Sequence, residues 1–246
     1  MLTFRDCADV EQMRAAIKPG ARAAVIGGGL LGLEAAYGLA KAGVDVTVVH
    51  VMDRLMERQL DPVAASLLKQ DLERRGIRVM LEAKSAAILG EGKVAALAFS
   101  DGQDIAVDMV VMAVGIAPNI QLAVSAGLAT RRGIVVDDAM RSSAANIFAL
   151  GECAEHRGVV YGLVQPAYEQ ARVLARVLAD GEAAFEGAVT ATNLKVSGIA
   201  VFSAGDYLGD GAQVLVLRDQ GLRHYRKLVL RDTAQGTVLA GCVLYG

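Results

Sequence analysis

The 246-residue sequence has no tryptophan, 4% aromatic residues and only four prolines. A core of large stacked rings is therefore excluded, and packing has to rely on Ala, Val and Leu. Cysteine is equally scarce. Cys7, Cys153 and Cys242 lie far apart with no C-x-x-C pair, which excludes a redox dithiol and a cysteine metal cluster. Three reduced thiols of a cytoplasmic protein are the expectation. No apolar run reaches the roughly 18 residues that a membrane-spanning helix needs. The first residues lack a basic stretch followed by an apolar one, so no signal peptide is expected. Neither sign of charge is in excess: the formal net charge is -2, which gives no broad attraction for nucleic acid. What is present is apolar bulk, 54% hydrophobic against 21% charged, a globular balance with enough material for a sizeable core. The length suits one large domain or two small ones.

Residues 7–17 form a helix candidate, closed by Pro19-Gly20. Ala23-Ala24-Val25-Ile26 is apolar on both faces and reads as a buried strand. A glycine-rich turn follows, then good helix formers from Leu30 to Lys41 with Gly43 at a C-cap position, then a second buried strand at 44–49. Asp61-Pro62 is a helix start, with an N-cap acid and proline at the first position. Leu67, Leu68 and Leu72 make that helix's apolar stripe. A third strand is expected at 77–81. From 84 to 114 the pattern turns to short strands and tight turns, read as an antiparallel meander ending in the apolar run Met109 to Val114. Further on, 120–126 and 166–178 read as helices, 134–136 and 147–150 as strands, and 181–187 as a linker. Residues 189–246 read as a separate β-rich module.

Gly27-Gly28-Gly29-Leu30-Leu31-Gly32 matches G-x-G-x-x-G. Alone the match is weak, but here a buried strand precedes it, a helix follows and a second strand comes next. The first glycine permits the tight turn, the second lets a pyrophosphate approach the backbone and the third lets helix and sheet pack closely. The helix N-terminus then offers free N–H groups and its positive dipole end to phosphate. Gly90-Glu91-Gly92-Lys93-Val94-Ala95 fits a relaxed form of the pattern but leads into a strand, so it reads as a hairpin turn. In NAD sites the second strand ends on an acid that accepts from the ribose hydroxyls. Here His50 stands there, with Asp53 three residues on and Arg54 beside it, suited to a 2′-phosphate. NAD and NADP both stay open.

With these residues in place, the sequence resembles the flavoprotein reductases that carry two dinucleotide-binding domains. Three segments in their family order carry the resemblance: Gly27 to Glu34, Ala113-Val114-Gly115-Ile116-Ala117-Pro118-Asn119, and Asn146-Ile147-Phe148-Ala149-Leu150-Gly151-Glu152. Within that family the segments 51–61, 151–158 and Leu194-Lys195-Val196-Ser197-Gly198 are most similar to the assimilatory nitrite reductase large subunit. The resemblance implies an oxidoreductase that passes hydride from NAD(P)H to FAD and electrons onward to an acceptor domain or protein. It implies that Gly27, Gly28, Gly29, Leu30, Leu31 and Gly32 hold the pyrophosphate. Glu34 would fix the nicotinamide side, and Gly115 would let the nicotinamide arm pass the backbone. Glu152, next to Gly151, would bind the ribityl hydroxyls, and Pro166 would flank the flavin ring. The family's second flavin motif usually ends in Gly-Asp, here Gly151-Glu152. The family also has an earlier glycine unit for the ADP part of FAD, and this sequence contains only one strand–glycine–helix unit.

The fold expected is α/β: a Rossmann-like NAD(P)-binding domain with a βαβ unit and an antiparallel meander, part of a FAD-binding domain and a small β-rich C-terminal module. The boundaries read as a lead-in at 1–20, then 21–112, 113–182 and 187–246. The rival reading is a nucleotide-binding part that holds no FAD and does not turn over. No metal site, nucleic-acid partner or membrane partner is expected, and a homodimer stays open. Cys153 reads as a packing thiol and His156 receives no catalytic role. The charged run 222–227 reads as the polar face of a strand.

Overall fold

A computed structural model describes residues 1–196 and 198–246, with the backbone alone for Lys195. Ser197, part of one segment quoted above, lies outside the described residues. The chain divides into two compact units, Met1–Gly115 with Ala191–Gly246, and Ile116–Thr190.

The first unit is built on a parallel sheet of β1 (Leu2–Thr3), β2 (Arg22–Ile26), β3 (Asp45–Val49), β4 (Arg78–Met80) and β8 (Met109–Met112), in the order β1-β8-β2-β3-β4. Helices α1 (Cys7–Ala16), α2 (Leu30–Lys41) and α3 (Pro62–Arg74) belong to the same unit. The alternation of side chains decides the layering. Ala23 and Val25 of β2, Val46 and Val48 of β3, and Met109 and Val111 of β8 join one core with Leu33 and Leu39 of α2 and Leu68 and Leu72 of α3. Ala24, Val49 and Val110 face the other way. They meet Leu97 and Phe99 from an antiparallel sheet of β5 (Ser85–Leu89), β6 (Ala96–Phe99) and β7 (Asp104–Ala106).

The expected meander is thus shorter than its sequence pattern. Met109–Met112 leaves it and pairs parallel with β2, in the register Ala23↔Met109. A run apolar on both faces needs cover on both faces, and a central position in a parallel sheet supplies it. The edge strand β1, which no sequence signal announced, pairs with the far side of β8.

Residues 191–246 form five antiparallel strands, β12 (Ala191–Val196), β13 (Ile199–Gly205), β14 (Gln213–Asp219), β15 (His224–Thr233) and β16 (Gly236–Tyr245), in the order β12-β13-β16-β15-β14. Their inward residues Leu194, Val196, Val201, Tyr225, Val243 and Tyr245 belong to the same core as α2 and α3. Both helices are therefore covered on the side away from the parallel sheet. The run 222–227 is not simply a polar face. Along β15 burial alternates, and Tyr225 and Lys227 are buried.

The second unit holds a small sheet of β9 (Ile134–Val136), β10 (Ala154–His156) and β11 (Val159–Val160), with helices α4 (Gln121–Ser125) and α5 (Val164–Leu178). The expected strand at 147–150 does not form. Ala149 N–H donates to the Met140 carbonyl at 3.1 Å, and an isolated bridge joins Arg141 and Phe148. With pairing at one point only and Ile147 43% exposed, the segment passes for a strand in composition alone. The 181–187 stretch is irregular as its composition suggests, yet Phe185 is 3% exposed. Its ring sits edge-on to His156 and Tyr161, with centroids 5.0 and 5.8 Å away.

Candidate functional site

At the carboxyl end of β2 the chain makes the turn that the glycine pattern predicts. Gly27 has φ +121°, and a Cβ there would collide with the Ala113 carbonyl oxygen, so only glycine fits. A Cβ on Gly32 would strike the Gly27 carbonyl oxygen, which is how closely α2 packs on the turn. Gly29 is the N-cap of α2, has no side-chain cap, and a Cβ there would meet nothing within 4 Å. The first turn of α2, Leu30, Leu31 and Gly32, therefore presents its N–H groups beside open space, where the helix dipole favours an anion. Glu34 is half-buried one turn further along α2.

The ribose-side residues separate into two groups. His50 is 8% exposed and does not face outward. Gly28 N–H donates to its Nδ1 at 3.1 Å, and its Nε2 lies 3.0 Å from Glu57 Oε2. Asp53 and Arg54 instead pair with each other, Arg54 Nη1 reaching both carboxylate oxygens at 3.0 and 3.1 Å. The Gly28 carbonyl accepts from Met56 N–H at 3.0 Å.

The loop from 50 to 61 is held from the C-terminal sheet. Tyr207 donates its hydroxyl to the Glu57 carbonyl at 2.8 Å. Asp61 caps α3 through Ala64 N–H, and its second oxygen accepts from Tyr225 at 2.6 Å and Lys227 at 3.1 Å. Burial, then the bond to Asp61, pushes the Tyr225 phenol well above its usual range. Burial also raises the Tyr207 phenol. The Asp61-Pro62 start was legible in sequence. Glu57, Tyr207, Tyr225 and Lys227 were not, since nothing in their local pattern announces a partner up to 166 positions away.

Gly115, with φ +109°, ends the first segment of the first unit, and the second unit carries the 3-10 turn Gly151–Cys153. Gly151 has φ +79°, and its N–H donates to Gln170 Oε1 of α5 at 2.7 Å. Gln170 is fully buried and its Nε2 has no partner among the described residues. Glu152 follows at the half-buried surface of the turn, and Pro166 is buried in the first turn of α5, where no intrahelical N–H is required. Cys153 donates its thiol to the Leu150 carbonyl. His156 does have an acidic partner: its Nε2 is 2.8 Å from Asp138 Oδ1, while Arg157 grips the same carboxylate at 2.9 and 2.6 Å. Arg157 first, then His156, hold the Asp138 carboxyl down to about 2. No cluster of three or more metal-ligating side chains occurs among the described residues, and no described helix is long and apolar enough to cross a membrane.

A parallel sheet with a glycine turn and an uncapped helix start at the carboxyl end of its central strand is the architecture of Rossmann-type dinucleotide-binding proteins. The family model described as pyridine nucleotide-disulphide oxidoreductase matches residues 1–171. The chain belongs to that family. A second model, the rubredoxin NAD+ reductase C-terminal domain, matches residues 191–246. Among curated relatives, a nitrite reductase [NAD(P)H] of Bacillus subtilis is 49% identical over 99% of this chain and 30% of its own length. The nitrite reductase (NADH) large subunit of Escherichia coli is 36% identical over 99% of this chain and 29% of its own. The chain thus spans about 30% of the length of these two relatives. A crystal structure of a ferredoxin reductase from Rhodopseudomonas palustris superposes with TM-score 0.87 at 28% identity, over 99% of this chain and 61% of that one.

Proposed function

We propose that this chain is the NAD(P)H-binding part of a flavin-dependent oxidoreductase of the nitrite reductase large-subunit type, acting in the cytoplasm. The observation that carries the reading is the glycine turn with Gly29 open and α2 uncapped behind it, a cradle that a pyrophosphate fits. Identity of 49% to a nitrite reductase [NAD(P)H] supports the choice of branch. Gly27, Gly29 and Gly32 shape the cradle, and the N–H groups of Leu30, Leu31 and Gly32 bind the pyrophosphate. Glu34 and Gly115 set the nicotinamide end, and Asp53 and Arg54 lie toward the ribose. Gly151, Glu152 and Pro166 would hold FAD together with Gln170, whose buried Nε2 is a donor still to be satisfied. A bound flavin would supply the hydride acceptor and the route for electrons to a downstream acceptor domain or protein.

The test is a titration of the purified chain with NADH and NADPH, read by nicotinamide fluorescence, followed by visible spectra with excess FAD. Saturable binding of either nucleotide, and a flavin band that NAD(P)H bleaches, are the expected results. Nucleotide binding without any retained flavin supports the rival, a nucleotide-binding part without turnover. Binding of neither nucleotide sinks the reading.

A further inference from the structure

We propose that His50, Glu57 and Tyr207 form a positioning relay that sets the glycine turn for the nucleotide, and that His50 is not a ribose ligand. The inference rests on the NAD(P)H-binding reading above and concerns how that site is held.

The geometry leads there in steps. Gly28 N–H needs an acceptor, and His50 Nδ1 supplies it at 3.1 Å. A ring nitrogen that accepts carries no hydrogen, so the hydrogen sits on Nε2 and is donated to Glu57 Oε2 at 3.0 Å. Both ring nitrogens are then occupied inside the chain. The ring is also wedged against the turn, since a Cβ on Gly28 would lie 2.7 Å from His50 Cγ. The other polar group of Gly28, its carbonyl, is held by Met56 N–H from the same loop. Both hydrogen-bonding groups of Gly28 are thus fixed from residues 50–56, and the peptides that follow, from Gly29 into α2, start from a set direction. Tyr207, from the connection between β13 and β14, fixes Glu57 in turn through its carbonyl. Neither His50 nor Glu57 touches the nucleotide in this scheme. They act through Gly28, as outer partners of metal ligands act through the ligand they orient.

A second consequence concerns the ribose. In NAD sites of this fold an acid at the end of the second strand accepts from the ribose hydroxyls. Here the strand-end side chain is turned inward, which leaves the nearby polar residues, exposed Asp53 and half-buried Arg54, as the ribose-side groups.

The experiment measures NADH and NADPH dissociation constants by nicotinamide fluorescence, with melting temperature alongside, on the full chain. His50→Leu removes both bonds and should weaken binding of both nucleotides by about tenfold, the expected scale for leaving one buried donor unpaired. His50→Asn keeps an acceptor where Nδ1 lies and should recover most of that loss. Tyr207→Phe keeps every bond to Gly28 and loosens only Glu57, so a loss of about threefold is expected. Both nucleotides should respond alike, because the relay acts on the shared pyrophosphate cradle.

Unchanged binding in folded His50→Leu, or His50→Asn as weak as His50→Leu, overturns the proposal while nucleotide binding by the wild type keeps the parent reading. Should His50→Leu not fold, His50→Asn and Tyr207→Phe decide: a fall in melting temperature in both with dissociation constants unmoved makes the trio merely structural. A loss confined to one nucleotide makes His50 a ribose ligand after all and overturns the proposal. A wild-type chain that binds neither nucleotide overturns the parent reading, and the relay with it.

Discussion

The two compact units reach order by different means. In Met1–Gly115 with Ala191–Gly246 one apolar core runs from the parallel sheet through α2 and α3 to the antiparallel sheet. In Ile116–Thr190 the apolar cluster is small, with Val136, Met140, Ala149, Ala154, Tyr161 and Phe185 as its buried members. Polar networks hold much of the rest: Asp138 with His156 and Arg157, Glu155 with Gly133 N–H, and Gln170 with Gly151 N–H. Apolar packing carries no titrating group, whereas a buried polar network is stabilising only while each member stays satisfied. The nucleotide cradle lies in the unit with the larger apolar core and has polar partners in His50, Glu57 and Tyr207, whereas the candidate flavin segment relies mainly on polar contacts.

The comparison would break most visibly at Asp61 and Lys227, where the first unit also depends on a buried charge pair. Asp61 and Lys227 are 4% and 8% exposed, and the same carboxylate caps α3 and binds Tyr225. Asp61→Ala leaves the buried lysine charge with only the Leu208 carbonyl at 2.8 Å and should cost about 3–5 kcal/mol in chemical denaturation. A loss below about 1 kcal/mol, the scale of an exposed pair, would show that water reaches Lys227 and that packing alone holds the two sheets' helices.

A smaller effect is expected in the second unit. Gln170→Leu keeps the bulk but strands Gly151 N–H, at a cost of about 1–3 kcal/mol. Hydrogen exchange should place the change in residues 116–190. Protection unchanged there would mean that Gly151 finds another acceptor and that the network is dispensable.

The smallest effect is the acid response. The Asp138 carboxyl is held at about 2 against an ordinary 3.8, so its folded value lies below its unfolded one. Its contribution is present above pH 3.8 and is lost as pH falls through about 2. Asp138→Asn should flatten that acid limb in the second unit and leave the first unaffected. A carboxyl carbon resonance for Asp138 that titrates at the ordinary value would remove the distinction.

Much of the first unit is legible because its signals are local. The span Ala23 to Val49 contains a strand, a glycine turn, a helix and a second strand, each with its own period or breaker, and β2, α2 and β3 fall where those signals place them. Asp61-Pro62 starts α3 for the same reason. Reading failed where a residue's state depends on something distant. Met109–Met112 has a strand composition, but its neighbour β2 lies more than eighty positions earlier in register. Residues 147–150 have the same composition and lack a second neighbour, so they stay a single bridge.

The candidate site divides in the same way. The amino-acid sequence by itself determined the βαβ unit, the glycine turn and the family, because backbone sterics and hydrophobic period act over a few residues. Tertiary structure alone decided that His50 turns inward to Gly28 and Glu57, that Tyr207 and Lys227 reach back to the 50–61 loop, and that Gln170 meets Gly151. A buried polar group takes whichever partner the packed chain brings within hydrogen-bond reach, and which partner arrives is a property of the whole fold.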